Sequence, residues 1–150
     1  MNKKILIVTS EFPPQPGGIG NHAYNLAKHL EDEGLTVAVI ADQRSVSGKE
    51  EETFDNLLKF KVHRVRIRNV RLLMYVKRMI LLFRHLKGAD LVIASGKFSL
   101  WTVAFASLFY KRRYVAVIHG SEVNFTKKGL KIAVNLSLKR YTKHIATQNY

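Results

Sequence analysis

Ile5-Leu6-Ile7-Val8 is an unbroken apolar run, rich in β-branched residues, that stops at Thr9-Ser10. A strand with no polar alternation must be buried on both faces, the condition of a parallel sheet covered by helices. The constraint recurs at Thr36–Ala41, at Asp90–Ser95 and at Tyr114–Ile118. From about Asn21 to Glu33, Tyr24, Ala27 and Leu30 recur at helical spacing, and Gly34 follows as a stop. A strand, a helix and a second strand in succession predict a right-handed crossover. The expected fold is α/β: a Rossmann-like, doubly wound, mostly parallel sheet with helices on both faces.

The other segments fit this frame. Phe60–Arg68 alternates apolar and basic residues, with one slip at His63-Arg64 that predicts a bulge in a strand near the sheet edge, and His63 reads as a solvated surface residue. Asp42–Asn56 is polar and reads as a surface excursion without chemistry. Phe98–Tyr110 is apolar nearly all round and predicts a well-buried helix. A basic amphipathic helix over about Lys127–Thr142 and a last strand at His144–Thr147 complete the series.

Asn69–Lys87 predicts a helix of unusual character. At 100° per residue Leu72, Val76, Met79, Phe83 and Leu86 share the face expected to pack on the sheet. Arg71, Lys77, Arg78, Arg84 and His85 fall on the other side, and so do Met74 and Leu81. Cations interleaved with large apolar side chains suit a helix lying on an anionic membrane surface, so Arg71, Met74, Lys77, Arg78, Leu81 and Arg84 are the candidate lipid-facing residues.

Charge is divided unevenly. Residues 1–55 carry five Lys/Arg against nine Asp/Glu, and residues 56–150 carry twenty against two, which gives −4 and +18 and the overall +14. Such a field attracts anionic lipid, phosphorylated substrates or nucleic acid. Nucleic acid is the weaker match, because no aromatic stacking platform, helix–turn–helix or RNP-like pattern is present. With no cysteine there is no disulfide framework and no thiolate metal site. The N-terminal apolar run is too short for a signal peptide or a membrane span, so the chain reads as cytoplasmic and, through the basic helix, peripheral to the inner face of the cytoplasmic membrane. At 150 residues it is one domain.

Between the first strand and helix lies Glu11-Phe12-Pro13-Pro14-Gln15-Pro16-Gly17-Gly18-Ile19-Gly20, which holds all three prolines of the chain. Proline stiffens this loop, glycine permits close backbone approach, and the helix start offers unpartnered N–H groups to an anion. Neither G-x-G-x-x-G nor G-x-x-x-x-G-K-[ST] is present. On the physics alone a phosphate-binding turn and a rigid turn without ligand stay equally open. His119, followed by Gly120, ends another apolar strand, where ligands of open parallel sheets bind.

Ser10–His22, S-E-F-P-P-x-x-G-G-I-x-x-H, together with Gly34-Leu35-Thr36-Val37 and the later His119-Gly120, resembles the N-terminal domain of GT-B fold retaining glycosyltransferases of the family 4, group 1 type. The resemblance implies an acceptor-side domain facing a donor-binding one across a cleft. It implies that Gly17 and Gly18 bring N–H groups to the diphosphate of a nucleotide-sugar donor. His22 would face a lipid-linked or surface-polysaccharide acceptor, and His119 would be the catalytic contact to the transferred sugar. It further implies transfer with retention, with neither metal nor cofactor. The E-x7-E motif of the family's second half has no match here. The expectation is therefore a domain that folds alone but transfers no sugar without a C-terminal donor-binding partner. Two other readings stand beside it. One is a non-catalytic basic module for nucleic acid or anionic membrane. The other is a flavodoxin-like nucleotide-binding regulator with Asp42 on a ribose.

Overall fold

The computed structural model describes residues 2–66, 70–119 and 143–147, with backbone only for Arg71 and for residues 143–147. Expectations placed on residues 120–142, Gly120 and the basic helix among them, lie outside the described residues, as does Arg68. Among the described residues ten elements follow in order: β1 (Lys4–Thr9), α1 (Gly18–Asp32), β2 (Thr36–Gln43), α2 (Lys49–Asp55), β3 (Lys61–Arg66), α3 (Arg71–Leu86), β4 (Leu91–Ser95), α4 (Lys97–Ala106), β5 (Arg113–His119) and β6 (Lys143–Thr147).

The six strands form one sheet in the order β3-β2-β1-β4-β5-β6, and every pair is parallel. The Rossmann-like expectation holds, and the unbroken apolar runs are the cause. Leu6, Val8, Ile40, Val92, Ala116 and Ile118 face one side, where Leu82 and Leu86 of α3 and Leu100 and Val103 of α4 cover them. Ile5, Ile7, Val37, Val39, Ile93 and Val117 face the other, beneath Ala23 and Ala27 of α1. Helix α1 departs toward β2 on one face and α4 toward β5 on the opposite face. The carboxyl ends of β1 and β4 thus flank a crevice at the point where strand order reverses, the usual ligand position of such sheets.

Gly34, at φ +82, closes α1 as expected. Its N–H bonds Glu31 O at 2.9 Å and that of Leu35 bonds Leu30 O at 3.1 Å, a Schellman stop. The helix begins three residues earlier than its apolar spacing indicates, at Gly18. Gly20 explains why: a Cβ there would lie 3.0 Å from the backbone of Glu11 and Phe12, so only glycine lets the first turn seat against the loop.

Other expectations are corrected. The 42–56 stretch contains helix α2, and its Glu51 is buried, accepting from the N–H groups of Arg44 (2.9 Å) and Ser45 (2.7 Å) and from the Ser45 hydroxyl. The β2–β3 register runs unbroken from Lys61 to Arg66, so no bulge lies at His63-Arg64. The phase slip arises because Arg64 turns inward to a bidentate pair with Asp55 (2.7 and 2.9 Å).

Helix α3 is rotated from the face the spacing indicates. Leu82 and Leu86 are buried, Met74, Met79, Leu81 and Phe83 pack partly against the core, and Leu72 is 71% exposed. Arg78, expected outward, is 3% exposed and pairs with Asp42 at 2.6 and 2.5 Å. A buried anion at the end of β2 has drawn the helix round. Helix α4 is only half-covered, since Phe98 and Phe105 are exposed, as is Phe109 just beyond it.

Candidate active site

The loop after β1 is held by contacts reaching across the chain. Thr9 Oγ1 donates to Glu11 O at 2.9 Å, starting the turn. Phe12 is fully buried, with the rings of Tyr24 and Phe60 edge-on at 6.1 and 6.4 Å and the Arg64 guanidinium 5.3 Å from its ring centroid. Arg64 also donates to Pro13 O at 2.5 Å, and Arg44 donates to Pro16 O at 3.1 Å. Two arginines thus fix the carbonyls on either side of the proline run.

Gly17 is extended, at φ 165, and Gly18 is the first residue of α1. Neither adopts the left-handed conformation, so the glycine character of Gly17 serves space and not turning. A Cβ on Gly17 would meet Glu11 Oε2 at 2.3 Å, while one on Gly18 would meet nothing within 4 Å. The helix start carries no side-chain cap and no acid in its first turn. Its leading N–H groups lack intrahelical partners, and the helix dipole favours an anion beside them. The Glu11 carboxylate lies against this turn.

One turn into α1, the ring of His22 meets that of His119 edge-on, with centroids 5.4 Å apart. His119 ends β5, is 5% exposed, and shares a 3.1 Å hydrogen bond between its Nε2 and Ser95 Oγ at the end of β4. Nδ1 of His22 is buried without a hydrogen-bond partner among the described residues. Burial holds His119 below the ordinary imidazole value; nearby His22 pushes the same way, and Glu11 opposes them. The four residues Glu11, His22, Ser95 and His119 therefore gather at the head of the switch-point crevice, beside Gly17 and Gly18. Among the described residues no group of three or more His, Cys, Asp or Glu is placed to hold a metal ion.

Of the residues singled out from sequence, Gly17, Gly18, His22 and His119 are brought together. The candidate lipid-facing set is divided: Lys77 and Arg84 are exposed, Met74 and Leu81 are half-buried, and Arg78 is buried. The side chain of Arg71 lies outside the described residues. Asp42 is engaged by Arg78 and so is not offered to a ribose. Sequence reading missed Arg44, Arg64 and Ser95, because each acts on a partner strands away, and Glu11, whose carboxylate folds back on the Gly17 turn.

His63 is half-buried, not solvated, and its ring lies 4.1 Å from that of His85. Burial holds both below the ordinary value of 6.5; His85 and Lys61 add to the effect at His63, and Arg84 adds to it at His85. A histidine depressed in the folded state binds fewer protons than in the unfolded chain, so stability rises with pH across its window. For His63, His85 and His119 the full contribution is present above about 6.5 and is lost as pH falls from there toward the folded values. Thermal unfolding followed from pH ~7.5 to ~5 should show a falling Tm over that range, and a Tm constant across it would contradict these environments.

The family profile of Glycosyltransferase Family 4 matches residues 16–150. Comparison with curated proteins finds no match. Among solved structures the fold is similar to Anabaena Alr3699/HepE in complex with UDP and glucose, at TM-score 0.69 and 20% identity over 95% of this chain and 37% of that one. It is similar also to Acinetobacter baumannii MurG, at TM-score 0.66 and 13% identity over 97% and 41%. The chain thus spans about two-fifths of the length of these relatives.

Proposed function

The chain belongs to glycosyltransferase family 4 as an N-terminal GT-B domain, and from that premise we propose that it forms the acceptor side of an enzyme moving a sugar from a nucleotide-sugar to a lipid-linked or surface-polysaccharide acceptor. The observation that carries this reading is the contact of His22 with His119 at the switch-point crevice, beside an uncapped helix start. Gly17 and Gly18 present backbone N–H groups to the donor's diphosphate, where the dipole of α1 favours an anion. His119 meets the transferred sugar, and His22, with its unpartnered Nδ1, faces the acceptor. The HepE relative was solved with UDP-glucose as well as with UDP and glucose, which favours a uridine nucleotide among the donors to try first.

The chemistry asked of this half is electrostatic. A departing diphosphate gathers negative charge, and fixed N–H dipoles stabilise it without reorganising. We read the transfer as retaining and independent of metal, as the sequence resemblance implies. The remaining length seen in the solved relatives is where we place the donor-binding half, and the 150-residue chain alone is read as inactive.

The face formed by α3 and α4 supports a peripheral membrane role. Ile80 (60% exposed) and Phe109 (62%) stand among exposed Lys77, Arg84, Lys87 and Lys111. No described helix is long and apolar enough to cross a membrane.

The test is transfer itself. The protein joined to its donor-binding half, given labelled nucleotide-sugars, a chelator and vesicles bearing lipid-linked acceptors, should yield a product of unchanged anomeric configuration. The 150-residue chain should yield none. Turnover by the short chain, or an inverted product, would sink the corresponding part of the proposal.

A further inference from the structure

Glu51 is a buried carboxylate that the site described above does not use. Burying an anion is costly unless it is hydrogen-bonded, and this one accepts from the N–H of Arg44 at 2.9 Å, the N–H of Ser45 at 2.7 Å and the Ser45 hydroxyl. Two consecutive N–H groups turned onto one carboxylate fix the backbone directly after β2, and with it the point from which the Arg44 side chain departs. That side chain crosses to the proline loop. Its Nη1 donates to Pro16 O at 3.1 Å and would stand 3.7 Å from a Cβ on Gly17. Arg44 is exposed, and a guanidinium carries five N–H donors, so more of its fork than the Pro16 bond uses lies within a ligand's reach at the glycine turn. Neighbouring carboxylates of α2 are engaged by other groups: Glu50 accepts from Gln15 at 2.7 Å, and Asp55 takes Arg64 at 2.7 and 2.9 Å. The Glu11 carboxylate borders the same turn, and a fixed anion there repels a phosphate.

We propose that Arg44 is a further anion-binding residue of this domain, and that Glu51 positions it. Its guanidinium offsets the Glu11 carboxylate and meets a phosphate oxygen of a nucleoside diphosphate seated at Gly17 and Gly18. The proposal rests on reading that turn as the diphosphate contact. Arginine suits the task because its planar fork can hold the Pro16 carbonyl with one arm and a phosphate oxygen with another, whereas lysine offers a point charge.

Titration of the 150-residue protein with inorganic pyrophosphate, followed through the backbone amide signals of Gly17 and Gly18, provides the test. In the wild type both signals should move and saturate. Arg44→Gln should raise Kd about tenfold or more while leaving Tm near the wild-type value, since the residue is exposed. Arg44→Lys, charged but without the fork, should fall between. Glu11→Gln should lower Kd, because it removes the repelling charge. Glu51→Gln should raise Kd, and Arg44→Gln with Glu51→Gln should bind no more weakly than Arg44→Gln alone, because Glu51 acts through the arginine; independent losses would add instead. Equal affinity in the wild type and Arg44→Gln, with Gly17 and Gly18 still moving, would overturn the role of Arg44 and leave the diphosphate reading in place. Wild-type Gly17 and Gly18 signals that stay fixed while other amides shift would overturn both.

Discussion

Replacing Arg78 by methionine should cost about 3–5 kcal/mol of folding stability, although the position looks like an outward cation in the sequence. Its guanidinium is buried between α3 and the end of β2, with Nη2 2.6 and 2.5 Å from the two carboxylate oxygens of Asp42. Methionine fills much of the same volume but leaves the carboxylate without a counter-charge. A domain has about 5–15 kcal/mol in all, so the variant should stand near the edge of folding. Burial already pushes Asp42 above its ordinary value in spite of Arg78. Without the arginine the folded protein must take up a proton there, and the loss should deepen as pH rises above the ordinary carboxyl value of 3.8. Removing both charges, as Arg78→Met with Asp42→Leu, should recover most of the loss, because an apolar pair leaves no buried charge unpaired. Urea unfolding of the three variants decides the matter. A loss below about 1 kcal/mol for Arg78→Met would mean that water reaches the pair.

The sheet was legible because its signal is local. Four apolar runs without polar alternation suit strands buried on both faces, as in a parallel sheet, and Gly34 stops α1 for a reason confined to its own φ. The placement of Gly17, Gly18, His22 and His119 at the crevice was also legible, since a residue at the carboxyl end of a buried strand, or at the helix start that follows one, is directed there by topology alone. Arg78, Arg64 and Ser95 were not. Arg78 and Asp42 lie 36 residues apart, and Arg64 and Pro13 lie 51 apart. Helical spacing assigns a cation to solvent by default, and only the anion placed on the neighbouring strand reverses that choice. The same effect misplaced Met74 and Leu81: once Arg78 turns inward the helix rotates with it, bringing them against the core and leaving Leu72, Val76 and Ile80 outside. Helix α4 was misjudged for another reason. Its apolar surround indicates burial only if a second layer covers it, and among the described residues its outer face has none.

That rotation defines the surface on which membrane binding should be tested. Helices α3 and α4 lie on the same sheet face and are joined at one end, where Phe83 meets Phe109 at 5.7 Å and Arg112 donates to Leu86 O at 3.3 Å and Lys87 O at 3.0 Å. Their outer sides form one layer of exposed apolar residues edged by Lys77, Arg84, Lys87 and Lys111. A cation near an anionic bilayer contributes about 1 kcal/mol, and its reversal replaces attraction with repulsion. Lys77→Glu with Arg84→Glu should therefore weaken binding to phosphatidylserine or phosphatidylglycerol vesicles by about 2–4 kcal/mol, roughly thirty- to several-hundred-fold. The deficit should shrink in high salt as the charges are screened. Ile80→Asp should weaken binding in high salt as well, because it removes apolar area and not attraction. Lys28→Glu, exposed on α1 across the sheet, provides the control and should change little. Arg78 is excluded from such a series, since its reversal would place two anions together in the core. Co-sedimentation with vesicles of graded anionic content distinguishes the outcomes. Equal binding by the wild type and the Lys77/Arg84 variant would remove the α3–α4 face from any membrane role, whereas loss in Lys28→Glu alone would move the contact to the opposite side of the sheet.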